Sequence, residues 1–114
     1  MNDIDIAWCA GLFEGEGSIF RFMIKRYTYH RLTIKMTDLD VLEKFKLKTR
    51  KGLIIAQTDR SIKKGQSNWK RYYVWHLNNR EEIQELLKLF WPHLCHRRRA
   101  KILELELLKI EDLN

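Results

Sequence analysis

Apolar residues recur along this chain with two different periods, which divide it into helices and strands. Helical spacing predicts four helices, at about Ile4–Glu14, Leu39–Lys48, Arg80–Phe90 and Leu94–Leu108. Alternating or β-rich runs predict four strands, at about Ser18–Tyr27, Arg31–Thr37, Leu53–Thr58 and Trp69–Leu77. The predicted order is α-β-β-α-β-β-α-α, an α+β arrangement in a single domain over residues 1–114.

Glycines and turn residues are expected at the boundaries of these elements: Gly15 and Gly17 after the first helix, Gly52 after the second, and turns near Thr28-Tyr29 and at Asn78-Asn79. With the first helix ending there, Glu16 is expected just past its last turn.

The second and fourth predicted strands each have one apolar face. Residues expected to face the core are Leu32, Ile34 and Met36 on the second strand, and Tyr73, Trp75 and Leu77 on the fourth. The opposite faces carry Arg31, Thr33 and Lys35, and Lys70, Tyr72, Val74 and His76. In the first strand, alternation places Phe20, Phe22 and Ile24 inward. An apolar face backed by a basic one suits a sheet that lies on a nucleic acid.

The composition describes a globular chain with a polyanionic partner. No apolar run reaches the 18 residues that a membrane span needs, and no signal peptide is visible at the start, so we expect no membrane association. Two cysteines do not make a disulfide framework, and we read them as reduced thiols in an intracellular protein. The net charge of +7 favours a nucleic-acid partner.

The distribution of charge sharpens this expectation. Between Ser18 and Thr37 there are five lysines and arginines and no acid, and between Arg60 and Arg80 there are six and again no acid. The acids lie mainly in the predicted helices. Such segregation predicts one basic face on the protein, although solvated surface charge is the alternative interpretation.

The segment Cys9-Ala10-Gly11-Leu12-Phe13-Glu14-Gly15-Glu16-Gly17 carries the most chemistry. Ala7, Gly11 and Gly15 recur at every fourth position, so they share one helical face on which a second helix can approach closely. Glu16 adds a carboxylate near the helix C-terminus, where free carbonyls carry the negative end of the dipole. A hard divalent cation such as Mg²⁺ would relieve that conflict, because it prefers oxygen ligands.

This segment, followed by Ser18, resembles the motif of LAGLIDADG homing endonucleases. Ala10, Gly11, Leu12 and Gly17 match the motif identically, while Glu14 and Glu16 replace aspartates and Cys9 stands where leucine is usual. The predicted element order is also that of the family. The resemblance implies a curved four-stranded antiparallel sheet that serves as a DNA-binding saddle.

A chain with one motif resembles the homodimeric members of the family, in which two motif helices pack together across the dimer axis. Residues expected at that interface are Ala7, Ala10, Gly11, Glu14 and Gly15. The resemblance makes Glu16 the ligand of Mg²⁺ or another hard divalent cation, helped by the carbonyl of Gly15. The alternative is that Glu14 and Glu16 form only a solvated turn.

Further site residues follow from the resemblance. A polar residue at the end of the second strand lies near the attacking water, and Asp38 falls there, although it could equally cap the second helix. A basic residue near the start of the last helix stabilises phosphate charge. Arg97 is our choice for that role and Lys101 the next candidate, with simple contact to the DNA backbone as the alternative.

Base and phosphate contacts are expected from the strands and the loop between the third and fourth strands. The expected base-contacting residues are Arg21, Lys25, Arg31, Thr33, Lys35, Lys70 and Tyr72, and the expected phosphate-contacting residues are Lys63 and Lys64. In the family, positions at these distances after the motif face DNA, so the resemblance puts Phe20, Phe22 and Ile24 on the DNA side. A β-bulge after Ser18 would reconcile that placement with the inward one.

We therefore expect a homodimeric, metal-dependent, site-specific double-stranded DNA endonuclease. The alternatives are an inactive endonuclease, or a nucleic-acid-binding protein of the same fold such as a regulator or an intron maturase, the last of which would also bind RNA. Aromatic residues on the strands could stack on RNA bases, but core packing is the simpler explanation. The cluster His93, Cys95 and His96 lacks the four ligands of a structural zinc site.

Overall fold

The computed structural model describes residues 1–58 and 71–113. Its helices are α1 Asp3–Glu16, α2 Leu39–Thr49, α3 Arg80–Phe90 and α4 His96–Glu104, with 3₁₀ turns at Trp91–His93 and Ile110–Leu113. Its strands are β1 Gly17–Ile24, β2 Tyr27–Met36, β3 Leu53–Thr58 and β4 Arg71–Leu77. The predicted α+β order is confirmed. The expectations for Lys63, Lys64 and Lys70 lie outside the described residues.

The four strands form one antiparallel sheet in the order β1-β2-β4-β3. Since paired residues share a face, Ile34 and Trp75 lie together on one side, while Lys35 and Val74 lie together on the other. The helices cover the first side, where Leu32, Ile34 and Trp75 are fully buried. We call this side the helix face, and the side that carries Lys35 and Val74 the open face.

Aromatic side chains join three helices to the helix face. Phe45 of α2 packs edge-on against Trp75 of β4 with ring centroids 4.7 Å apart. Phe90 of α3 lies 6.2 Å from Phe45 and 5.9 Å from Phe13 of α1, centroid to centroid. The chain from α1 to α3 therefore shares one core.

Close packing around Trp75 explains why residue 52 is a glycine. The Trp75 indole Nε1 donates to the Lys51 carbonyl at 2.8 Å. Gly52 follows with a φ of 85°, and a Cβ there would lie 2.6 Å from Cε2 of Trp75. The expectation that Gly52 ends α2 is wrong, since the left-handed capping residue is Arg50, with a φ of 56°.

Two other expected boundaries are also wrong. Gly17 ends α1 as expected, in an extended conformation, but Gly15 and Glu16 belong to the helix and do not follow it. The turn between β1 and β2 falls at Lys25 and Arg26, three residues before the expected position, with Lys25 at a φ of 58°.

α4 ends four residues earlier than its apolar spacing predicts. The chain turns at Glu106, whose φ is 58°, and buries Leu107. Two side chains of the α3 region hold that turn: Arg80 Nη2 donates to the Glu106 carbonyl at 3.0 Å, and Gln84 Nε2 donates to the Leu107 carbonyl at 2.9 Å. Among residues 1–58 and 71–113, no helix has the length and apolar character needed to cross a membrane.

Candidate active site and nucleic-acid interface

The motif segment forms α1, which begins at a side-chain cap: Asn2 Oδ1 accepts from the Asp5 N–H at 2.8 Å. One side of the helix, with Cys9, Ala10 and Phe13, is buried in the core. Burial also raises the pKa of the Cys9 thiol to about 11, so the thiol stays protonated at neutral pH. The expectation that Ala10 contacts a second copy is wrong, because its own chain covers it completely.

The other side of α1 is bare. Ala7, Gly11 and Gly15 are exposed. A Cβ added at Gly11 or Gly15 would meet no heavy atom within 4 Å. Nothing among the described residues of this chain therefore requires glycine at these positions, although each costs helix stability relative to alanine.

Glu16 is the last residue of α1, and it is exposed. The next residue, Gly17, is buried, and its N–H donates to the Phe13 carbonyl. A Cβ at Gly17 would lie 2.6 Å from Cε2 of the Phe13 ring. Because Gly17 pairs with Ile34 near the end of β2, the Glu16 carboxylate stands where α1 meets the sheet.

Arg98 of α4 braces this turn. Its Nε donates to the Glu14 carbonyl at 3.1 Å, and its Nη2 donates to the Gly17 carbonyl at 2.8 Å. Nε also lies 3.3 Å from Oε2 of Glu14. The Nε proton goes to the carbonyl, so Arg98 and the Glu14 carboxylate form an ion pair rather than a hydrogen bond. Glu14 is thus committed to its own chain, which weakens the expectation that it lies at a dimer interface.

Arg97 and Lys101 are exposed on α4 and line a small depression of about 190 Å³. Its opposite wall is the start of β1, including Ser18 and Phe20. The structure therefore brings both predicted cations to the strand that follows Glu16. Two exposed cations at this depression are suited to bind a phosphate group.

Asp38 is the N-cap residue of α2 by position, and its carbonyl accepts from the Val41 N–H at 3.2 Å. Its side chain makes no capping hydrogen bond and is exposed. The carboxylate is therefore free of the structural role that was the alternative to a catalytic one.

Four predicted base-contacting residues lie on the open face: Arg31, Thr33, Lys35 and Tyr72. Arg31 is held in place, since its Nε donates to Asn78 Oδ1 at 2.7 Å and its guanidinium lies 5.3 Å from the Phe22 ring centroid. The Lys35 ammonium lies 4.2 Å from the Tyr72 ring centroid. Aromatic rings thus hold both of these cations over the open face.

β1 follows the placement expected from counting along the motif, and not the placement expected from its alternation. Its register with β2 is regular, with no bulge, and it pairs Phe20 with Arg31 and Phe22 with Tyr29. The inward placement of Phe20, Phe22 and Ile24 is therefore wrong; they lie on the open face, where Phe20 is 50% exposed. Arg21 pairs with His30 on the helix face, and Lys25 lies in the hairpin turn, so neither shares the open face with Arg31.

Two histidines flank these strands in environments that disfavour their charge. His30 is buried on the helix face, with Nδ1 3.5 Å from Nη1 of Arg80. Burial and the Arg80 charge lower its pKa below 6.5. His76, on the open face, also has a lowered pKa, because of burial and the nearby Arg31. Both are therefore neutral at pH 7.

Sequence reasoning missed Arg98, although a signal was present. Arg98 stands four residues before Ile102 and seven before Leu105, so it falls on the buried stripe of α4. An arginine on an apolar stripe indicates a guanidinium committed to a partner inside the chain.

The described part of the chain forms no cluster of side chains that could hold a metal ion by itself. Across residues 1–58 and 71–113, no three His, Cys, Asp or Glu side chains cluster as metal ligands would. The donor set beside the sheet is the exposed Glu16 carboxylate with the adjoining carbonyl of Gly15. That set fits Mg²⁺, which is commonly held by one or two carboxylates together with phosphate oxygens and water.

No family model and no curated protein matches this chain. Solved structures do match it. They include the homing endonuclease I-CvuI in complex with the I-CreI target, at 19% identity with a TM-score of 0.66 over 93% of this chain and 69% of that one. The group I intron-encoded homing endonuclease I-CeuI, complexed with DNA, matches at 18% identity and a TM-score of 0.62 over 88% of this chain. An archaeal intron-encoded homing endonuclease, I-Vdi141I, complexed with DNA, matches at 22% identity and 0.58 over 80%.

These likenesses show that the chain has the fold of the LAGLIDADG homing endonucleases. Another match, I-GzeII in complex with its DNA target, is described as a member of that family. The chain spans 56% of the length of I-Vdi141I and 50% of that of I-CeuI.

Proposed function

We propose that this chain is the single-motif subunit of a homodimeric, site-specific endonuclease that cuts double-stranded DNA with the help of a divalent metal ion. Two copies related by a two-fold axis would read a long, near-palindromic target. The observation that carries the proposal is the position of Glu16, an exposed carboxylate at the junction between a bare helix face and a sheet face that carries Arg31 and Lys35.

The bare face of α1 supports the two-copy arrangement. Close packing of two α1 helices through Ala7, Gly11 and Gly15 would bring the two Glu16 carboxylates near each other, because Glu16 adjoins Gly15. Each pair of a carboxylate and a Gly15 carbonyl would then hold a divalent cation between protein and DNA. A bound divalent cation supplies charge stabilisation on the phosphate and lowers the pKa of bound water.

The remaining residues have roles that need no metal. Arg97 and Lys101 would bind the scissile phosphate group and offset its growing negative charge. The uncommitted Asp38 carboxylate would orient the attacking water by accepting a hydrogen bond from it. Arg31, Thr33, Lys35 and Tyr72 would contact bases or backbone from the open face.

The chemistry of the open face also bears on the target sequence. Arg31 and Lys35 can donate to guanine O6 and N7, whereas Phe20, Phe22 and Ile24 offer only apolar surface. Apolar side chains in the major groove contact the methyl group of thymine. We therefore expect thymines at the target positions that β1 covers.

A second candidate is a nucleic-acid-binding protein of the same fold without cleavage, such as a maturase. The exposed rings of Phe20 and Tyr29 favour it, because aromatic residues on an open sheet face can stack on unpaired RNA bases. Phe22 stacks on Tyr29 with ring centroids 5.6 Å apart, so one face of the Phe22 ring and one face of the Tyr29 ring are already covered. Only the other face of each ring is left for a base.

Cleavage of a randomised double-stranded DNA library in Mg²⁺, with sequencing of the cut ends, tests the proposal. The Glu16→Gln variant should lose cleavage and retain DNA binding. Glu81→Gln, which removes an exposed carboxylate from α3, is the matched control and should cut normally. One enriched near-palindromic site, cut by the parent and the control only, would support the endonuclease.

Other outcomes would redirect the conclusion. Cleavage that survives Glu16→Gln would remove the metal-ligand role of Glu16. Absence of cleavage, together with selective retention of an RNA over duplex DNA, would favour the second candidate.

A further inference from the structure

Arg98 is the most heavily engaged cation near the motif, yet no step of the proposed reaction uses it. Its side chain is 12% exposed, unlike its exposed neighbour Arg97. Its guanidinium lies 5.3 Å from the ring centroid of Phe13. Most of the Arg98 side chain therefore lies inside the molecule, although it also lines the depression formed by Arg97, Lys101 and the start of β1.

The contacts of Arg98 bracket the residues proposed to bind metal. Its two hydrogen bonds end on the carbonyls of Glu14 and Gly17, on either side of the Gly15-Glu16 pair. A planar guanidinium can make both bonds at once, which a lysine ammonium on a flexible stem does with much less geometric control. The backbone that carries Glu16 is thereby fixed at both ends by one side chain.

The positive charge of Arg98 also has an electrostatic role at the C-terminus of α1. The last turn of α1 contains no basic residue, although it carries Glu14 and Glu16 at the negative end of the helix dipole. A cation at a helix C-terminus offsets that negative potential. The sequence supplies the cation from α4, 84 residues beyond Glu14.

We propose that Arg98 is a positioning residue for Glu16: it fixes the turn at the end of α1 so that the Glu16 carboxylate and the Gly15 carbonyl are presented together to a divalent cation. This inference rests on the proposed function, because it takes Glu16 as the metal ligand. In this role Arg98 acts through the backbone of the turn, by its hydrogen bonds to the Glu14 and Gly17 carbonyls.

The direction in which Arg98→Gln changes the metal affinity separates a positioning role of Arg98 from a purely electrostatic one. Removing a cation beside a carboxylate should strengthen binding of a second cation by Coulomb's law. Loss of positioning should weaken it, as loss of residues that orient metal ligands commonly does. The effect of Arg98→Gln on metal affinity therefore has opposite signs under the two explanations.

The chain offers a matched control in Arg99. Arg99 Nε donates to the Trp91 carbonyl at 3.0 Å, and its guanidinium lies 5.3 Å from the Trp91 ring centroid. Arg99→Gln thus loses the same kinds of contact and the same charge on the same helix, but away from the motif.

The experiment measures Mn²⁺ binding to the protein by electron paramagnetic resonance, and amide hydrogen exchange at residues 15–18, for the parent and for Arg98→Gln, Arg98→Lys, Arg99→Gln and Glu16→Gln. All variants are compared below their unfolding temperatures. We expect Arg98→Gln to weaken Mn²⁺ binding by roughly 10-fold or more and to speed exchange at residues 15–18. Arg99→Gln should change neither. Arg98→Lys keeps the charge and covers the case in which the glutamine variant does not fold; it should show the same changes at reduced size.

The outcomes distinguish the two levels of inference. Mn²⁺ binding that is unaffected by Glu16→Gln would overturn the proposed metal site and, with it, this role of Arg98. Binding that depends on Glu16 but is unchanged or tighter in the Arg98 variants would overturn the positioning role alone.

Discussion

Phe20 lies directly opposite Arg31 across the β1–β2 ladder, and both side chains belong to the open face of the sheet. The neighbouring pair, Arg21 and His30, belongs to the helix face. Two arginines of adjacent strands therefore point to opposite sides of one sheet, and only one of them is placed to meet a ligand on the open face.

This relationship predicts different effects of two equal charge changes. Arg31→Ala should weaken DNA binding. If Arg31 contacts phosphate, the slope of log affinity against log salt concentration should fall in magnitude by about one. If Arg31 reads guanine, binding should lose roughly 1–3 kcal/mol of free energy and become less specific at that base pair. Arg21→Ala should have a much smaller effect, because it loses only long-range attraction. Fluorescence anisotropy across a salt series, with the duplex selected by cleavage, measures both.

Equal losses of affinity in the two variants would contradict binding through the open face. A larger loss for Arg21→Ala would instead indicate that DNA lies against the helix side of the hairpin.

The two glycines that flank Glu16 should respond oppositely to alanine. Gly17→Ala would drive its methyl group into the Phe13 ring and the Phe13 carbonyl, which is 2.5 Å from the Cβ position. We expect a loss of roughly 1–3 kcal/mol in the free energy of unfolding, as for other overpacked sites. Gly15→Ala meets open space and should stabilise α1 by about 0.5–1 kcal/mol in the isolated chain. Urea unfolding at low protein concentration measures both values, and an unaffected Gly17→Ala variant would contradict the packing described for this turn.

The bare face of α1 allows the proposed dimer to be tested without damage to the subunit. Gly11→Leu adds a side chain where the single chain has open space, and it removes a glycine that costs about 0.8–1.0 kcal/mol in a helix interior. The isolated subunit should therefore fold at least as well as the parent. Two α1 helices could no longer approach closely, so the dimer should dissociate.

Sedimentation velocity over a range of concentrations gives the oligomeric state, and circular dichroism reports folding. Gly11→Ala, with a much smaller side chain, should show a weaker effect of the same sign. A Gly11→Leu protein that remains a dimer as tight as the parent would place the subunit contact elsewhere.

The order of elements could be predicted from the sequence because it depends on local spacing, which is clear in β2, β4 and α3. Counting from the motif places Phe20, Phe22 and Ile24 on the correct side of the sheet. Alternation alone could not do so, because this strand is apolar on both sides: Ile19 is buried while Phe20 and Phe22 lie on the open face. Its orientation is set by the pairing of Gly17 with Ile34, a long-range contact.

The same distinction applies to the candidate site. Glu16, Arg97 and Lys101 could be proposed as site residues from the motif and from the basic run at the start of α4, and they remain proposals. Arg98 could not be separated from its neighbours by composition, since the difference between them is the side of α4 on which each lies. The early end of α4 likewise depends on Arg80 and Gln84, which bind carbonyls more than 20 residues away.

His30 predicts how stability should depend on pH. Burial is the main cause of its lowered pKa, followed by the charge of Arg80 and, more weakly, of Arg21, while the Leu105 backbone acts in the opposite direction. The folded protein therefore takes up a proton on His30 at a lower pH than the unfolded chain, whose histidines titrate near 6.5. Below that pH the unfolded state binds more protons, so the free energy of unfolding should fall as the pH drops from 7.5 to 5.5.

Carboxylates titrate mostly below this window, so histidines dominate the change. Urea unfolding at both pH values should show a smaller decrease for His30→Gln than for the parent. His76→Gln should remove a further part, since the pKa of His76 is also lowered, by burial and by Arg31. A parent protein that becomes more stable on acidification, or a His30→Gln variant with an undiminished decrease, would show that His30 is not held neutral beside Arg80.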